Sequence, residues 1–300
     1  MIDLSVIIVN WNTCDLLAKS LESVYSTVKD LTLEVFVVDN ASTDGSPEMV
    51  RQRFPQAQLL VNSENLGFAR ANNQAIRQCQ GKYVLLLNSD AALTGGAANA
   101  LVDALENDPK AGIAGAQLLY PDGRPQVSHG PLPTFWTELA GLTGLDRGLQ
   151  RVDWKDYPGR SYIQTGMVNG ACLLARRSML DLIGLLDERF FMFNEEVDLC
   201  FRAHAAAWKV IYVPAAVTFH VAGGSTGVTS GRLLRLYRGK LQYFHKHYGP
   251  GGQRRLKRAM RAVTAVKVAF YTLASRAGLT RSQKENLWRE VARGLVQLQI

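Results

Sequence analysis

Leu4-Ser5-Val6-Ile7-Ile8-Val9, followed directly by the polar residues Asn10-Trp11-Asn12, is the stretch of this sequence that decides the fold. A short apolar run rich in β-branched residues is typical of a strand buried on both faces of a parallel sheet. The same pattern, an apolar run that ends in a polar turn, returns at residues 33–46 and 82–90. It predicts a sheet whose parallel strands end in polar turns.

Strands and helices alternate at short intervals on either side of this stretch. Such alternation predicts an α/β fold: an open, mostly parallel sheet with helices on both faces. The predicted strands cover residues 4–9, 33–38, 57–61, 82–87 and 112–117. The predicted helices cover residues 14–25, 46–54, 68–79 and 97–107.

The pattern is less regular after residue 117. Residues 118–162 are rich in proline, glycine and aromatic side chains, which predicts a long functional or mobile loop. We then expect one strand over residues 166–175, a helix from about Glu195 and a last strand over residues 210–213. A basic helical extension over residues 232–300, interrupted at residues 249–252 and near Gly278, follows an α/β domain of residues 1–231.

The composition bounds the class of protein. The chain has 300 residues, of which 47% are hydrophobic, enough for one large α/β domain with an appendage. The four cysteines have no paired spacing, as expected of reduced thiols in a cytoplasmic protein. Neither a secretory signal nor a run of apolar residues that could span a bilayer is visible in the sequence.

Charge is distributed unevenly along the chain. Residues 1–231 carry 18 Lys and Arg against 24 Asp and Glu, whereas residues 232–300 carry 16 against 2. A basic amphipathic extension can contact an anionic membrane surface, which would place the protein peripherally on the cytoplasmic face. It can equally be an appendage packed on residues 1–231. Nucleic acid is not an expected partner, because no recognised binding module accompanies the charge.

Three polar clusters follow predicted strands: Asn10-Trp11-Asn12, Asp39-Asn40 and Asn88-Ser89-Asp90. One such turn is usually only a helix cap or a turn former. Ligands of open α/β sheets, however, bind outside the carboxyl ends of the strands, so three clusters on neighbouring strands indicate a ligand site. Glycine-rich phosphate loops are missing from the sequence, which disfavours a dehydrogenase or a P-loop ATPase. A bound diphosphate would then need a divalent metal, held mainly by Asp90 with Asn88 as a weaker partner.

Acidic residues mark a second candidate site. Asn194 is predicted to cap a helix whose first turn carries Glu195 and Glu196, followed by Asp198. The helix dipole favours ionised carboxylates there, which suits a general base, although acids at helix starts often serve only to stabilise the helix. His220 follows the last predicted strand; it is a candidate metal or diphosphate contact, or a packed side chain.

These segments, in this order, resemble the inverting glycosyltransferases of family two, which have the GT-A fold, and above all their rhamnosyltransferase-like branch. The resemblance covers about residues 4–226. It rests on residues 5–12 (Ser-Val-Ile-Ile-Val-Asn-Trp-Asn), 37–46 (Val-Val-Asp-Asn-Ala-Ser-Thr-Asp-Gly-Ser), 65–73 (Asn-Leu-Gly-Phe-Ala-Arg-Ala-Asn-Asn), 86–90 (Leu-Leu-Asn-Ser-Asp) and 193–202 (Phe-Asn-Glu-Glu-Val-Asp-Leu-Cys-Phe-Arg).

The resemblance implies a role for each matching residue. Asp90, Asn88 and His220 would hold Mg²⁺ or Mn²⁺, and Glu196 or Glu195 would be the catalytic base. The nucleotide sugar would contact Asn10, Asn12, Asp39, Asn40, Asn65, Gly67, Arg70, Asn72, Asn88, Ser89 and Asp198. Two departures from the family pattern are Asn88, where the family's metal motif begins with an acid, and glutamate rather than the commoner aspartate at the base position.

The implied reaction moves a sugar from a dTDP- or UDP-linked donor to a hydroxyl of a glycan or lipid-linked acceptor in cell-surface polysaccharide synthesis. A sugar nucleotidyltransferase is one alternative, but it would normally show a glycine-rich basic loop after the first strand. A non-catalytic partner subunit that binds nucleotide sugars is another, and the presence of both Glu195 and Glu196 argues against it. The sequence predicts no oligomeric state.

Overall fold

The computed structural model describes residues 2–145, 161–222, 229–277 and 282–298. They form two compact units. The first unit holds the described residues up to Leu132, those from 161 to Phe191, and those from Glu195 to 222. The second unit holds the remainder, including Met192–Asn194. The predicted domain boundary at residue 231 stays a prediction, since the second unit also takes in segments that precede it.

The first unit contains all the strands of the described residues and most of the helices. Its strands are β1 (Leu4–Asn10), β2 (Leu33–Asp39), β3 (Gln58–Val61), β4 (Tyr83–Asn88), β5 (Ala91–Leu93), β6 (Ala111–Leu119), β7 (His129–Gly130), β8 (Ile163–Thr165), β9 (Met167–Val168), β10 (Cys172–Arg176) and β11 (Lys209–His220). Its helices are α1 (Cys14–Thr27), α2 (Ser46–Arg53), α3 (Phe68–Ile76), α4 (Ala97–Asn107), α6 (Arg177–Ile183) and α7 (Glu195–Ala205).

Nine of these strands form one sheet in the order β3-β2-β1-β4-β10-β6-β11-β5, and β8 pairs with β11. The remaining two, β7 and β9, pair with each other. Strands β1, β2, β3, β4, β6 and β11 run in one direction, while β5, β8 and β10 run against them. The predicted mostly parallel sheet is therefore confirmed.

Apolar side chains cover both faces of this sheet. In β1, Val6 and Ile8 belong to one hydrophobic cluster and Ile7 to the cluster on the opposite face. Because successive side chains of a strand point to opposite faces, a continuous apolar run is needed wherever helices pack on both sides. This explains why the sequence of β1 is apolar throughout rather than alternating.

The single strand predicted over residues 166–175 is wrong. The structure has two strands there, β9 and β10, which belong to different sheets. The side chain of Asn169 accepts a hydrogen bond from the Ala171 backbone N–H at 2.9 Å, which closes a tight turn between them.

The last strand is longer than predicted. It runs from Lys209 to His220 instead of ending at Val213, and its pairing with β6 shifts register between Val213 and Val217. Pro214 lies in this shift, where a residue without an N–H donor is tolerated. The proline interrupts the sequence pattern but not the strand, and it is the continued strand that carries His220.

The predicted irregular stretch 118–162 contains β7 and, in the second unit, helix α5 (Phe135–Thr143). Residues 146–160 lie outside the described residues. The side chains of Thr134 and Thr137 form a reciprocal capping box at the start of α5, which explains why a helix begins there despite the preceding prolines.

The second unit consists of α5 and the long helices α8 (Ser230–Arg276) and α9 (Ser282–Gln297). The Tyr248 hydroxyl donates to the Pro133 carbonyl at 2.8 Å, and Lys240 forms an ion pair with Glu138. These two contacts hold α5 against α8. Gly249 interrupts α8 with φ 69°, as predicted for residues 249–252. The interruption predicted at Gly278 falls outside the described residues. Among the helices that the structure describes, none is long and apolar enough to cross a membrane.

Gly67 brings two distant parts of the first unit into contact. It precedes α3 with φ 80° and ψ −176°, a conformation that side chains rarely adopt. A Cβ at this position would lie 2.3 Å from the Phe191 carbonyl oxygen, which accepts a hydrogen bond from the Phe68 N–H at 2.7 Å. Glycine is therefore required both by the backbone angle and by the approach of the segment before α7.

We expect Gly67→Ala to destabilise the protein more than Gly184→Ala does. Gly184 has nearly the same backbone angles, φ 82° and ψ 167°, but a Cβ there would meet no described atom within 4 Å. Both variants carry backbone strain of about 1–3 kcal/mol, whereas only Gly67→Ala adds a clash of about 1–3 kcal/mol. Urea denaturation measures the difference, and equal losses in the two variants would contradict the contact with Phe191.

Candidate active site

The register of the sheet brings the three polar turns to one edge. Asn10 at the end of β1 pairs with Asp39 at the end of β2, and on the other side Val9 pairs with Asn88 at the end of β4. The prediction that these turns follow neighbouring strands is therefore confirmed. Such an edge, outside the carboxyl ends of parallel strands, is where open α/β sheets bind ligands.

Asp39 is a buried carboxylate with a partner on each oxygen. Its Oδ1 accepts from Asn10 Nδ2 at 2.9 Å, and its Oδ2 accepts from the Ser42 N–H at 2.8 Å. Asn12 has φ 52°, and its side-chain oxygen accepts from the Thr43 N–H at 2.8 Å. These bonds hold the loops after β1 and β2 together as one wall of the site.

Thr13 joins this wall to the turn after β4. Its hydroxyl donates to Asn10 Oδ1 at 2.6 Å and lies 2.8 Å from the hydroxyl of Ser89. Ser89 is buried, and its contact with Thr13 supports the turn after β4. The sequence analysis missed Thr13, because nothing local distinguishes it from an ordinary residue before a helix.

The segment from Asn65 to Asn72 lies beside the end of β2. Asn40 Nδ2 donates to the Gly67 carbonyl at 3.1 Å, and Asn65 Oδ1 accepts from the Gly67 N–H at 2.9 Å. Arg70 is exposed in the first turn of α3, whereas Asn72 is buried and donates to the Phe68 carbonyl at 2.9 Å. Arg70 is thus the accessible cation of this segment.

Asp90 and His220 meet across the sheet edge. The pairing of β5 with β11 sets Ala91 opposite His220, and His220 Nε2 lies 3.2 Å from Asp90 Oδ1. The side-chain nitrogen of Asn88 lies 3.4 Å from the same Nε2. The structure therefore brings together the three residues predicted to hold a metal.

Gln126 sets the orientation of the His220 ring. Its side-chain N–H donates to the His220 carbonyl, which turns Gln126 Oε1 towards Nδ1 of the ring at 2.9 Å. The ring is thereby held with Nε2 towards the Asp90 carboxylate. Gln126 was missed because it lies in the irregular stretch 118–162, where sequence patterns say least.

A ring nitrogen and a carboxylate oxygen 3.2 Å apart are both groups that can bind a divalent cation. An imidazole held in place by a second hydrogen bond is the usual arrangement of a metal-binding histidine. A divalent cation fits this donor set, provided that other ligands come from outside the chain, because the described residues contain no group of three or more His, Cys, Asp or Glu that could hold a metal.

The acidic residues lie in the first turn of α7, as predicted. Asn194, directly before the helix, has φ 72° rather than the extended angles typical of an N-cap. Burial raises the pKa of Glu195 well above its ordinary value, and the nearby charge of Glu196 raises it further. Glu195 Oε2 also has no hydrogen-bond partner among the described residues. The residue Glu195 is buried, whereas Glu196 is more exposed overall, although the Oε2 atoms of both are buried.

A glycine turn separates Glu196 from the turn after β4. A Cβ at Gly170 would lie 3.3 Å from the Cβ of Glu196, and the next residue, Ala171, accepts a hydrogen bond from the Asn88 N–H at 3.0 Å. The small residues of this turn leave space beside the Glu196 side chain. The sequence analysis assigned this turn to the middle of a strand and so missed its place in the site.

Asp198 is part of the support of α7. Its side chain is fully buried and accepts from Arg202 Nε at 2.8 Å, and Arg202 also donates to the carbonyls of Ile183 and Leu185. These contacts fix α7 to the segment after α6. The donor contact assigned to Asp198 stays a prediction.

Known proteins resemble the chain both in sequence and in fold. Residues 5–184 match the family described as glycosyl transferase family 2. An N-acetylglucosaminyl-diphospho-decaprenol L-rhamnosyltransferase of Mycobacterium tuberculosis is 32% identical over 225 residues, which cover 67% of this chain and 71% of the relative. The low-salt glycan biosynthesis hexosyltransferase Agl10 of Haloferax volcanii is 27% identical over 67% of this chain and 61% of its own length.

Among solved structures, a mannosyltransferase from Pyrobaculum calidifontis in complex with GDP-Man and Mn²⁺ superimposes with a TM-score of 0.58 at 20% identity. The match covers 99% of this chain and 87% of that one. At this identity the likeness concerns the fold, and it confirms the predicted GT-A architecture. With the family match over residues 5–184 and the rhamnosyltransferase relative, it follows that this chain belongs to glycosyl transferase family 2.

Proposed function

We propose that this glycosyltransferase moves a sugar from a dTDP- or UDP-linked donor to a hydroxyl of a glycan or lipid-linked acceptor, with inversion at the sugar carbon and with Mg²⁺ or Mn²⁺ as cofactor. The facing pair of Asp90 Oδ1 and His220 Nε2, 3.2 Å apart at the carboxyl edge of the sheet, carries this proposal. The pair offers a cation two ligands where a donor diphosphate would lie.

The donor is proposed to bind along the edge formed by β1, β2 and β4. The wall around Asp39 and Asn10 would face the nucleoside, while Asn88, Ser89 and Asp90 would face the diphosphate. A bound cation would supply positive charge to the departing diphosphate. Arg70, exposed at the start of α3, is placed to add a second positive charge at the border of the donor.

Glu196 is proposed as the general base. A base must be reached by the acceptor hydroxyl, and Glu196 is the more exposed of the two acids, beside the Gly170 turn. Glu195 is only 5% exposed, so an acceptor hydroxyl reaches it less easily, and burial raises the pKa of its carboxyl well above the ordinary value. The two adjacent acids therefore lie in different environments, and the more accessible one is proposed as the base.

The proposed reaction is a single displacement. The acceptor oxygen forms a bond to the anomeric carbon as the bond from that carbon to the diphosphate oxygen breaks. The hydroxyl proton passes to Glu196, and the electron pair of the broken bond leaves with the nucleoside diphosphate. One displacement inverts the configuration, and it needs no second carboxylate of the kind that glycoside hydrolases use to protonate the leaving group.

The relatives support the class of substrate. The mycobacterial relative is, by its name, a rhamnosyltransferase that acts on a diphospho-decaprenol lipid, and the Haloferax relative is a hexosyltransferase of glycan biosynthesis. A lipid-linked acceptor would place this enzyme peripherally on the cytoplasmic face of a membrane, within cell-surface polysaccharide synthesis.

A non-catalytic partner subunit that binds nucleotide sugars is the second candidate. The arrangement of α7 favours the enzyme, because it sets the more exposed carboxyl group of Glu196 beside the Gly170 turn, where a simple binding protein would not need a base. Metal-dependent hydrolysis of the donor in the absence of acceptor separates the two, since only the enzyme would release free sugar.

Asp90→Asn should abolish the effect of Mn²⁺ on binding of a nucleoside diphosphate. The substitution keeps the shape of the side chain but removes its charge, so the cation loses one of its two protein ligands. Calorimetry with UDP or dTDP, with and without Mn²⁺, measures the effect. Asp103→Asn, at an exposed position of α4, is the matched control and should bind as the unmodified protein does. Unchanged affinity in Asp90→Asn would contradict the metal assignment.

Glu196→Gln should lower kcat by a factor of about 10²–10⁴ while donor affinity stays the same, because a general base contributes acceleration of this order. Glu195→Gln is the matched variant at the neighbouring position, and it should keep most of the activity, since glutamine resembles the protonated acid. Single-turnover transfer to a glycan acceptor measures both. A large loss in Glu195→Gln with normal turnover in Glu196→Gln would reverse the assignment.

Glu195→Gln should also change how stability depends on pH. The folded-state pKa of Glu195 is raised above the ordinary value of 4.5, so the unfolded chain loses this proton first as pH rises. Wild-type stability therefore falls from about pH 4.5 upwards until the folded-state pKa is passed, and glutamine removes this loss. Urea unfolding should show Glu195→Gln gaining stability relative to wild type between pH 4 and 7.5. A constant difference at both pH values would contradict burial of the neutral acid.

A further inference from the structure

One face of α8 is exposed along its second half although it is apolar. Val266, Phe270 and Leu273 are 69%, 60% and 67% exposed. Their spacing of four and then three residues places them on one side of the helix, so they form a continuous apolar strip. The opposite side carries the buried residues Leu256, Met260, Thr264 and Ala274. Packing within the second unit therefore accounts for one side of α8 and leaves the other uncovered by any described residue.

The turns that precede the strip are basic, and Arg254, Arg255, Arg258 and Arg261 are all exposed there. At 3.6 residues per turn, Arg255 falls on the line of the apolar strip and Arg258 lies beside it, whereas Arg254 and Arg261 point more than a quarter turn away. From Arg255 to Leu273 the helix rises about 27 Å, so Arg255 and Arg258 lie at one end of the strip.

An aromatic residue extends this surface at its basic end. Trp136 in α5 is 68% exposed, and the guanidinium of Arg255 lies 5.5 Å from the centre of its ring and 3.9 Å from that of Phe135. Tryptophan and arginine side by side are favoured at the boundary between lipid headgroups and acyl chains, where one group is apolar and the other contacts phosphate.

We propose that this face, from Trp136 and Arg255 to Leu273, is a docking surface for an anionic lipid bilayer. The inference rests on the peripheral membrane position proposed above and assigns it to particular residues. The arginines contact lipid phosphates, and Val266, Phe270 and Leu273 enter the boundary between headgroups and acyl chains. Because no described helix could span a bilayer, the binding is at the surface and reversible.

Charge favours a bilayer over the two other occupants of such a face. In a symmetric dimer through this strip, parallel helices would set Arg255 against Arg255, so like charges would meet. A nucleic acid would satisfy the arginines but would leave the three large apolar side chains against phosphate and water. An anionic bilayer satisfies both halves of the surface.

Co-sedimentation of the full chain with vesicles tests the surface. We expect binding to vesicles of phosphatidylcholine mixed with phosphatidylglycerol, weakened by salt, and little binding to phosphatidylcholine alone. The triple variant Val266→Glu, Phe270→Glu, Leu273→Glu should bind the mixed vesicles about tenfold or more weakly. Leu182→Glu, which changes a side chain 69% exposed on α6 of the first unit, is the matched control and should bind normally.

Arg255→Gln with Arg258→Gln tests the basic end separately and should weaken binding most at low salt. Hydrolysis of a soluble nucleotide sugar is measured in all variants and should not change, so a failure of the catalytic proposal would be seen independently of the membrane result. Normal vesicle binding by the triple variant would overturn the proposal. So would loss of a dimer in light scattering on that substitution, or displacement of the wild-type protein from vesicles by duplex RNA.

Discussion

The pairing of β1 with β2 on one side and β4 on the other is the constraint on which the site depends. Because the three strands are parallel and in register, their polar turns lie side by side at one edge of the sheet. A buried hydrogen bond from Asn10 to Asp39 at 2.9 Å links two of these turns. A shift of one residue would exchange the two faces of β1, both of which are buried, and would separate Asn10 from Asp39. The apolar packing on both sides thus also positions the polar residues that bind the ligand.

Local sequence predicted those parts of the fold and site in which neighbouring residues decide the structure. The apolar runs of β1 and β4 and the acids at the start of α7 were predicted correctly. The turn at Asn169, the continuation of β11 to His220 and the role of Gln126 were not, because each depends on contacts with residues far away in the chain. Gln126 reaches a histidine 94 positions later, and no local pattern records such a contact.

Charge is controlled at two places in the site by different means. Burial raises the pKa of Glu195 at a helix start, where the dipole alone would lower it. Desolvation outweighs the dipole because the favourable effect of a helix end is about 0.3–1 kcal/mol, whereas burying an unpaired charge costs several times more. At the other turn, Gln126 fixes the His220 ring so that Nε2 faces Asp90 Oδ1 at 3.2 Å. A cation would find both groups already oriented.

Helix α8 shows why the spacing of apolar residues in the extension could not distinguish a helix packed on the protein from one that binds a membrane. From Ala262 to Ala274 only Lys267 is charged, so the sequence is apolar around almost the whole circumference of the helix. A helix packed on one side alone would normally expose polar residues on the other. Here Met260, Thr264 and Ala274 account for the packed side, while Val266, Phe270 and Leu273 remain on the exposed one. The helix therefore carries more apolar side chains than its packing within the second unit uses. The arginines that precede these side chains determine which kind of surface can cover the exposed ones.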